Sequence, residues 1–517
     1  KLGVAGSFLW IFDSKSVNSQ LQDGIDAKSL PCTPGALEGP CDIMDMFPSS
    51  LVANGSNGQT LGDLNGGLNN KFGRLHGVIK DPSNRYVNAN LFVPGGGYIG
   101  VIDTRTKEAI ALFRVTAFST DSERSIHMSF WSTDGSAIIM ANLHGKAVER
   151  INVGRDENNL ITQLTFDKSA SIGLKDLNVT DEATFFTGTN AFGRSLIGAV
   201  TGDYGNADLG PLTPSGACKE DGCTGGNGTD PGRKNNLPIC PNPSTNDNIY
   251  VTLAGGGLFV VDVMSTPMKI VGEYTGSEVN GAGCAGVQVD DTMYVDSGVS
   301  AGGAGANQST FTVYSFDDTA YSSGSQPDAH LVFKDATNTN TIGNSNGNTT
   351  ENLSGQIPGF TTRRDSHGAA ATADGSFVHF VDRIQNVVET FDVKTDSRNT
   401  YSLTESGACS ARAVTDYNAT YNNDPAPDLM DITPDGKYFA IAFRGPAPVT
   451  VGHGAQGSCP GVGIVEISDD GSSGRLVDVL RTTNTVSDLK SSVKPDGGLF
   501  FDGDERSDVH GTIVVYK

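Results

Sequence analysis

Short runs of alternating apolar and polar residues follow one another along the whole chain, separated by Gly-rich or Asp-Gly turns every eight to twelve residues. A period of two sends successive side chains to opposite faces of a strand, so the pattern predicts an all-β protein. Residues 365–393, "DSHGAAATADGSFVHFVDRIQNVVETFDV", display the unit. A first strand leads to a polar Thr-Ala-Asp-Gly turn, a second strand opens on Phe377, and a third ends near Asp392. Aligned on the residue that opens the second strand, equivalent units fall at Tyr86, Ala137, Phe185, Tyr250, Tyr294, Phe377, Tyr438 and Leu499, spaced 44 to 83 residues apart. That spacing suits four-stranded propeller blades of ~40–50 residues carrying variable loops. Radial packing also buries sheet faces that a lone four-stranded sheet would expose.

The expected architecture is a single β-propeller domain over residues 1–517, of about eight four-stranded blades. The count becomes seven if the degenerate third unit, about residues 171–202, is not a blade. The last unit runs out at the C-terminus after about three strands, and the N-terminal "GSFLWIFDSKS" is expected to supply the missing outer strand and close the ring. Residues 203–237 and 319–361, rich in Gly, Ser, Asn and Thr, read as long loop insertions.

Three second strands, "RYVNANL", "IYVTLAG" and "MYVDSGV", are each followed by a strand of the "GxxxVxD" kind. In this the chain resembles the YVTN/lactonase-like β-propeller superfamily, over most of its length. The resemblance implies the fold. The superfamily spans lactonases, quinone- and copper-dependent oxidoreductases, metal carriers and surface-layer proteins, so the fold does not select a function. The sequence carries no catalytic signature of any one branch and no Gly-x-Ser-x-Gly elbow with a supporting acid and base, so no catalytic residue is assigned.

Ten residues before the alignment point, the eight units carry His76, His127, Lys175, Cys240, Cys284, His367, Asp428 and Leu489. This position opens the innermost strand of a blade, and three of the chain's eight histidines occupy it. Imidazoles and a carboxylate converging there would suit Zn or Cu, which makes His76, His127, His367 and Asp428 the candidate metal ligands. The competing reading is that these side chains line a channel and satisfy strand carbonyls. Arg74, Arg124, Arg363 and Arg364 stand two to four residues upstream of the histidines, and Arg412 precedes the seventh unit. Arg74, Arg124 and Arg364 are the candidates for an anion site, since guanidinium binds carboxylate or phosphate with two aligned hydrogen bonds; pairing with Asp121, Glu123 or Asp365 is the alternative. His144 and His510 are expected in turns between second and third strands, and His379 in the core or between blades. His330 and His453 stand in variable regions. "DGDERSD" offers Asp502, Asp504 and Asp508 as weak calcium ligands, without the later Glu of an EF-hand. No organic cofactor is indicated.

Composition narrows the classes further. A net charge of −23 excludes nucleic acid as an expected partner, and no apolar run approaches the ~18 residues of a membrane span. Position 1 is Lys, which reads as removal of a secretion signal. The eight cysteines are Cys32, Cys41, Cys218, Cys223, Cys240, Cys284, Cys409 and Cys459, and "CTPGALEGPC" and "CKEDGC" each suit a local disulfide. Cys240 and Cys284, at matching repeat positions, read as a disulfide rather than as thiolate ligands. Sequons at Asn54, Asn178, Asn227, Asn307, Asn348, Asn352 and Asn418 add to the case for a secreted or extracellular glycoprotein, periplasmic if bacterial. Three functions follow in order: a secreted binding propeller using the histidines for a transition metal or small anion; a structural glycoprotein that self-associates; and a metal-dependent lactonase-like hydrolase or copper oxidoreductase.

Overall fold

The computed structural model describes residues 8–15, 29–64 (without 33 and 38), 74–118 (without 94–95), 125–173, 179–205, 237–297 (without 254–255, 277 and 280–282), 311–334, 365–403 (without 384–385), 425–445, 457–482 (without 458) and 507–516. They form an all-β fold of the β-propeller class, built from six four-stranded antiparallel units numbered here in chain order. Sheet 1 holds Arg74–Lys80, Tyr86–Val93, Gly96–Asp103 and Glu108–Arg114; sheet 2 holds Ile126–Trp131, Ala137–Asn142, Ala147–Arg155 and Ile161–Asp167. Sheet 3 holds Pro238–Pro243, Asn248–Leu253, Leu258–Asp262 and Lys269–Tyr274. Sheet 4 holds Gly286–Val289, Thr292–Ser297, Thr312–Asp317 and His330–Lys334. Sheet 5 holds Ser366–Ala371, Phe377–Asp382, Val387–Asp392 and Arg398–Ser402, and sheet 6 holds Pro427–Ile432, Tyr438–Phe443, Gly461–Ile467 and Gly474–Arg481.

The turn chemistry explains why these hairpins form. In "STDGS", "TADGS" and "TPDGK" the hydroxyls of Ser132, Thr372 and Thr433 donate to Asp134, Asp374 and Asp435 at 2.6, 2.7 and 2.6 Å. The same hydroxyls accept the N–H groups of Ala137, Phe377 and Tyr438 at 2.9, 3.1 and 3.1 Å. Gly135, Gly375 and Gly436 then take φ of 72°, 69° and 69°, the left-handed conformation that glycine adopts without a Cβ penalty. The superfamily-like motifs fall where expected, on the second strands of sheets 1, 3 and 4.

The third expected unit is not a separate blade. Its strands add to the edges of sheets 1 and 2: Thr184–Thr187 pairs with Glu108–Arg114 and with Val52–Ala53, while Ala199–Thr201 pairs in parallel with Ile161–Asp167. The turn "VTDE" lacks the glycine of "STDG", "TADG" and "TPDG", and its Asp181 is drawn into an ion pair with Arg114 at 3.1 Å. The N-terminal closing strand is also corrected. Phe8–Leu9 pairs with Cys41–Asp42, within a segment tied to itself by the Cys32–Cys41 disulfide and by Leu30 N–H to the Ile11 carbonyl at 2.7 Å. The expected loop of 319–361 contains regular structure at its start. A 3-10 turn at Ala320–Ser323 leads into the outer strand of sheet 4. Lys175, Leu489 and the turn before Leu499 lie outside the described residues.

The chain divides into two compact units, the first of residues 2–251, 259–273 and 515–517, the second of residues 252–258 and 274–514 together with Lys1. In the first, Ile99, Phe113, Trp131, Ile138, Ile151 and Phe166 form a shared core of sheets 1 and 2. In the second, Val381, Tyr401, Phe439, Phe443 and Val465 join sheets 5 and 6, and Tyr294, Phe311, Phe380 and Phe391 join sheets 4 and 5. The first strands of sheets 1 and 2 pack beside one another, as do those of sheets 4, 5 and 6 in turn. Among the described residues no helix is long and apolar enough to cross a membrane.

Candidate functional site

Each of the four proposed ligands sits at a β-bulge. In sheet 1 the register passes from Leu75↔Leu91 to Gly77↔Asn90, leaving His76 as the extra residue. In sheet 2, His127 and Met128 stand between the pairs Asn142↔Ile126 and Met140↔Ser129, two residues against one. Sheet 5 skips from Ser366↔Asp382 to Ala369↔Phe380 at His367, and sheet 6 from Pro427↔Phe443 to Met430↔Ile441 at Asp428. A bulge bends its strand and re-aims the side chain it carries. The repeat position read from the sequence is therefore a structural one.

The four residues resolve into two pairs, one in each unit. In the first unit the His76 and His127 rings lie with centroids 4.3 Å apart. In the second unit His367 Nε2 stands 3.1 Å from Asp428 Oδ1. A further residue joins this second pair: His510 Nε2 lies 4.0 Å from Asp428 Oδ2, and its ring packs edge-on to that of His367 at 5.5 Å. The donor atoms of His367, Asp428 and His510 all fall within 4.8 Å of one another, and the three residues are buried.

His510 was expected in a turn near a third strand. Instead residues 507–514 run beside the first strand of sheet 6, with Leu429 N–H to the His510 carbonyl at 3.4 Å and Val514 N–H to Asp431 Oδ2 at 2.8 Å. The signal available was the glycine after it, since "VHG" matches "LHG" at His76 and "SHG" at His367. His144 shares that glycine yet lies where expected, in the turn between the second and third strands of sheet 2.

The electrostatics around Asp428 come from two arginines that the sequence did not single out. Arg383 and Arg444 each follow the second strand of their sheet, six residues after Phe377 and Tyr438. Arg444 Nη1 donates to Asp428 Oδ2 at 2.7 Å, while its Nε and Nη2 grip the two oxygens of Asp508 at 2.6 and 2.7 Å. Arg383 clamps Asp365 through Nε at 3.0 Å and Nη2 at 2.7 Å, and its Nη1 stands 3.5 Å from Asp428 Oδ2. Burial pushes the Asp428 carboxyl above the usual carboxylate range, against the opposing pull of Arg383 and Arg444. Burial likewise raises Asp296, on the neighbouring sheet 4, well above its ordinary value. Burial disfavours the Arg444 cation, but Asp508 and Asp428 outweigh it and hold that group protonated. The cluster thus contains four buried carboxyls, Asp296, Asp365, Asp382 and Asp428, with the partly buried Asp508 beside them, against two guanidiniums.

Asp508 is a partner of Arg444, and the other two weak calcium candidates, Asp502 and Asp504, lie outside the described residues. Of the proposed anion-binding arginines, Arg74 lies at the start of the first strand of sheet 1, and Arg124, Arg363, Arg364 and Arg412 are outside the described residues. Cys240, Cys284 and Cys459 are disulfide-bonded, so none is a thiolate ligand; Cys218, Cys223 and Cys409 are outside the described residues. Asn54 is exposed in a turn, whereas Asn178, Asn227, Asn307, Asn348, Asn352 and Asn418 are not among the described residues, nor is His453. His330 pairs with Asp396 at 2.7 Å on the surface.

No family model matches the chain, and no curated protein matches it. Solved structures similar to it include a protein from Lactobacillus plantarum, 11% identical with a TM-score of 0.44 over 80% of this chain and 86% of that one. A periplasmic gluconolactonase from Pseudomonas aeruginosa is 9% identical, with a TM-score of 0.42 over 85% and 88%. A β-propeller domain from Myceliophteria thermophila is 9% identical, with a TM-score of 0.33 over 76% and 97%. The likeness to lactonase-like propellers is one of fold.

Proposed function

We propose that this protein is a secreted metal-binding propeller whose second unit holds a first-row transition ion, Zn(II) or Cu(II), on His367, Asp428 and His510. The observation that carries the reading is the meeting of these three donors, within 4.8 Å of one another, in a buried cluster richer in carboxyls than in guanidiniums. Two imidazoles and one carboxylate suit these ions better than Ca(II) or Mg(II), which favour shells of oxygen. A cation beside Asp428 would also keep ionised a carboxyl that burial otherwise drives toward protonation. Arg383 and Arg444 are engaged by aspartates, so an anion is not the ligand offered here. The enclosure of the three donors favours holding an ion over turning over a bulky substrate. Secretion is supported by the Cys32–Cys41 disulfide and the exposed Asn54 sequon.

Elemental analysis of the protein purified without added metal or chelator, beside a His367→Ala/His510→Ala variant, tests the reading. The wild type is expected to carry one equivalent of Zn or Cu more than the variant. Equal metal in both, or a wild type that takes up none even when supplied with it, rules the site out.

A further inference from the structure

We infer that the first unit carries a second metal site of softer character, built from His76, His127 and the thioether of Met128 and suited to Cu(I). It goes beyond the site proposed above and shares no residue with it. The bulges supply the first observation. His76 is the extra residue of its strand, and His127 and Met128 together face the single residue Ala141, so consecutive side chains are brought toward one side. The two first strands are neighbours, and the imidazoles meet at 4.3 Å between centroids with planes 53° apart.

The second observation is the tautomer. His127 Nδ1 lies 3.1 Å from the Ile239 carbonyl oxygen, which can only accept, so Nδ1 bears the hydrogen and in the neutral ring Nε2 carries the lone pair. A backbone carbonyl that fixes the far nitrogen of an imidazole is the usual outer support of a metal-bound histidine. The third observation is where the Met128 sulfur lies. A Cβ on Gly77 would come 2.5 Å from Met128 Sδ and 2.6 Å from its Cε, so the thioether rests over the backbone of the residue next to His76. Met128 is fully buried and His76 nearly so.

The donor set decides the ion. The Met128 thioether is a soft ligand that favours Cu(I), and imidazole nitrogens suit copper as well. The nearby Cys240 sulfur, 3.5 Å from His127 Nδ1, belongs to a disulfide and adds no thiolate charge. With His76 and Met128 buried and His127 half-buried, uncharged donors offset little of a divalent charge, which favours a monovalent ion.

Anaerobic titration with Cu(I) against a colorimetric Cu(I) chelator tests the inference. The wild type and the His367→Ala/His510→Ala variant are each expected to take one tightly held equivalent that a His76→Ala/His127→Ala variant lacks. Met128→Leu, which conserves volume, is expected to weaken that equivalent by at least about tenfold. No tight Cu(I) in the wild type, retention in the His76/His127 variant, or its loss in the His367/His510 variant overturns the inference. If the His76/His127 variant loses its melting transition, Met128→Leu decides alone, and unchanged affinity there overturns it.

Discussion

Glycine follows His367 in "SHG" where the next first strand comes too close for a side chain. A Cβ at Gly368 would sit 2.2 Å from the Asp428 carbonyl oxygen and 2.9 Å from Leu429 Cα, both backbone atoms. Gly368→Ala is accordingly expected to destabilise the fold by about 2 kcal/mol or more, read from the urea midpoint, because the strands must part to admit a methyl. His379 illustrates another single-residue effect. Its Nε2 donates to the Gly471 carbonyl of sheet 6 at 2.9 Å, and Nδ1 meets the Tyr401 and Thr390 hydroxyls at 3.2 Å each. Burial pulls its pKa down to about 4. The unfolded chain therefore binds this proton more readily than the folded one. Its stability contribution is intact above about pH 6.5, falls as pH drops toward 4, and totals about 3 kcal/mol lost. Urea denaturation of wild type and His379→Gln across that range should show their stability difference shrinking by about this amount as pH falls; a difference independent of pH contradicts the assignment.

At the scale of strands and turns, the sequence disclosed the frame of the site more readily than its contents. Fixed spacing between the Asp-Gly turn and the bulge made His76, His127, His367 and Asp428 comparable across units, because one extra residue per first strand preserves the offset. Spacing along one sheet could not say which neighbour each would meet. His510 was missed for that reason: its partners Asp428 and His367 lie on other segments, and an apolar run after it resembled a third strand. Arg383 and Arg444 were missed because their shared position, at the end of a second strand, is filled by Phe92 and Leu143 in sheets 1 and 2. Yet Arg383 reaches from sheet 5 to Asp428 of sheet 6, and Arg444 ties sheet 6 to the C-terminal segment. Arg383→Met would strand Asp365, wholly buried, and remove one neighbour of Asp428. A loss of about 3–5 kcal/mol is expected on urea unfolding, since removing one partner leaves a buried charge uncompensated. A loss below about 1 kcal/mol would mean that Asp365 is protonated in the fold or finds another partner.

Across the whole molecule, the all-β class and the four-stranded unit were legible throughout, while the unit count was not. Six four-stranded units lie among the described residues, and the strand around Phe185 pairs with the edge of sheet 1 instead of opening a unit of its own. Charge also acts at this scale. With a net charge of −23, folding gathers like charges that the unfolded chain keeps apart. The melting temperature is expected to rise between about 10 mM and 150 mM NaCl as the Debye length shortens to ~8 Å. The buried pairs, out of reach of salt, should not reverse the trend; a fall would show that surface ion pairs outweigh repulsion.

The central claim, that buried bulge residues of sheets 5 and 6 and the C-terminal segment hold a transition ion, is met most directly by diffraction. Crystals of the protein as isolated, measured above and below the Zn and Cu absorption edges, should give an anomalous peak bonded to imidazole nitrogens of His367 and His510 and to Asp428, at about 2.0–2.2 Å. The same crystals, supplied with either ion and still lacking a peak there while Asp428 stays bound to Arg444, would contradict it and leave His367 and His510 as partners of a structural aspartate.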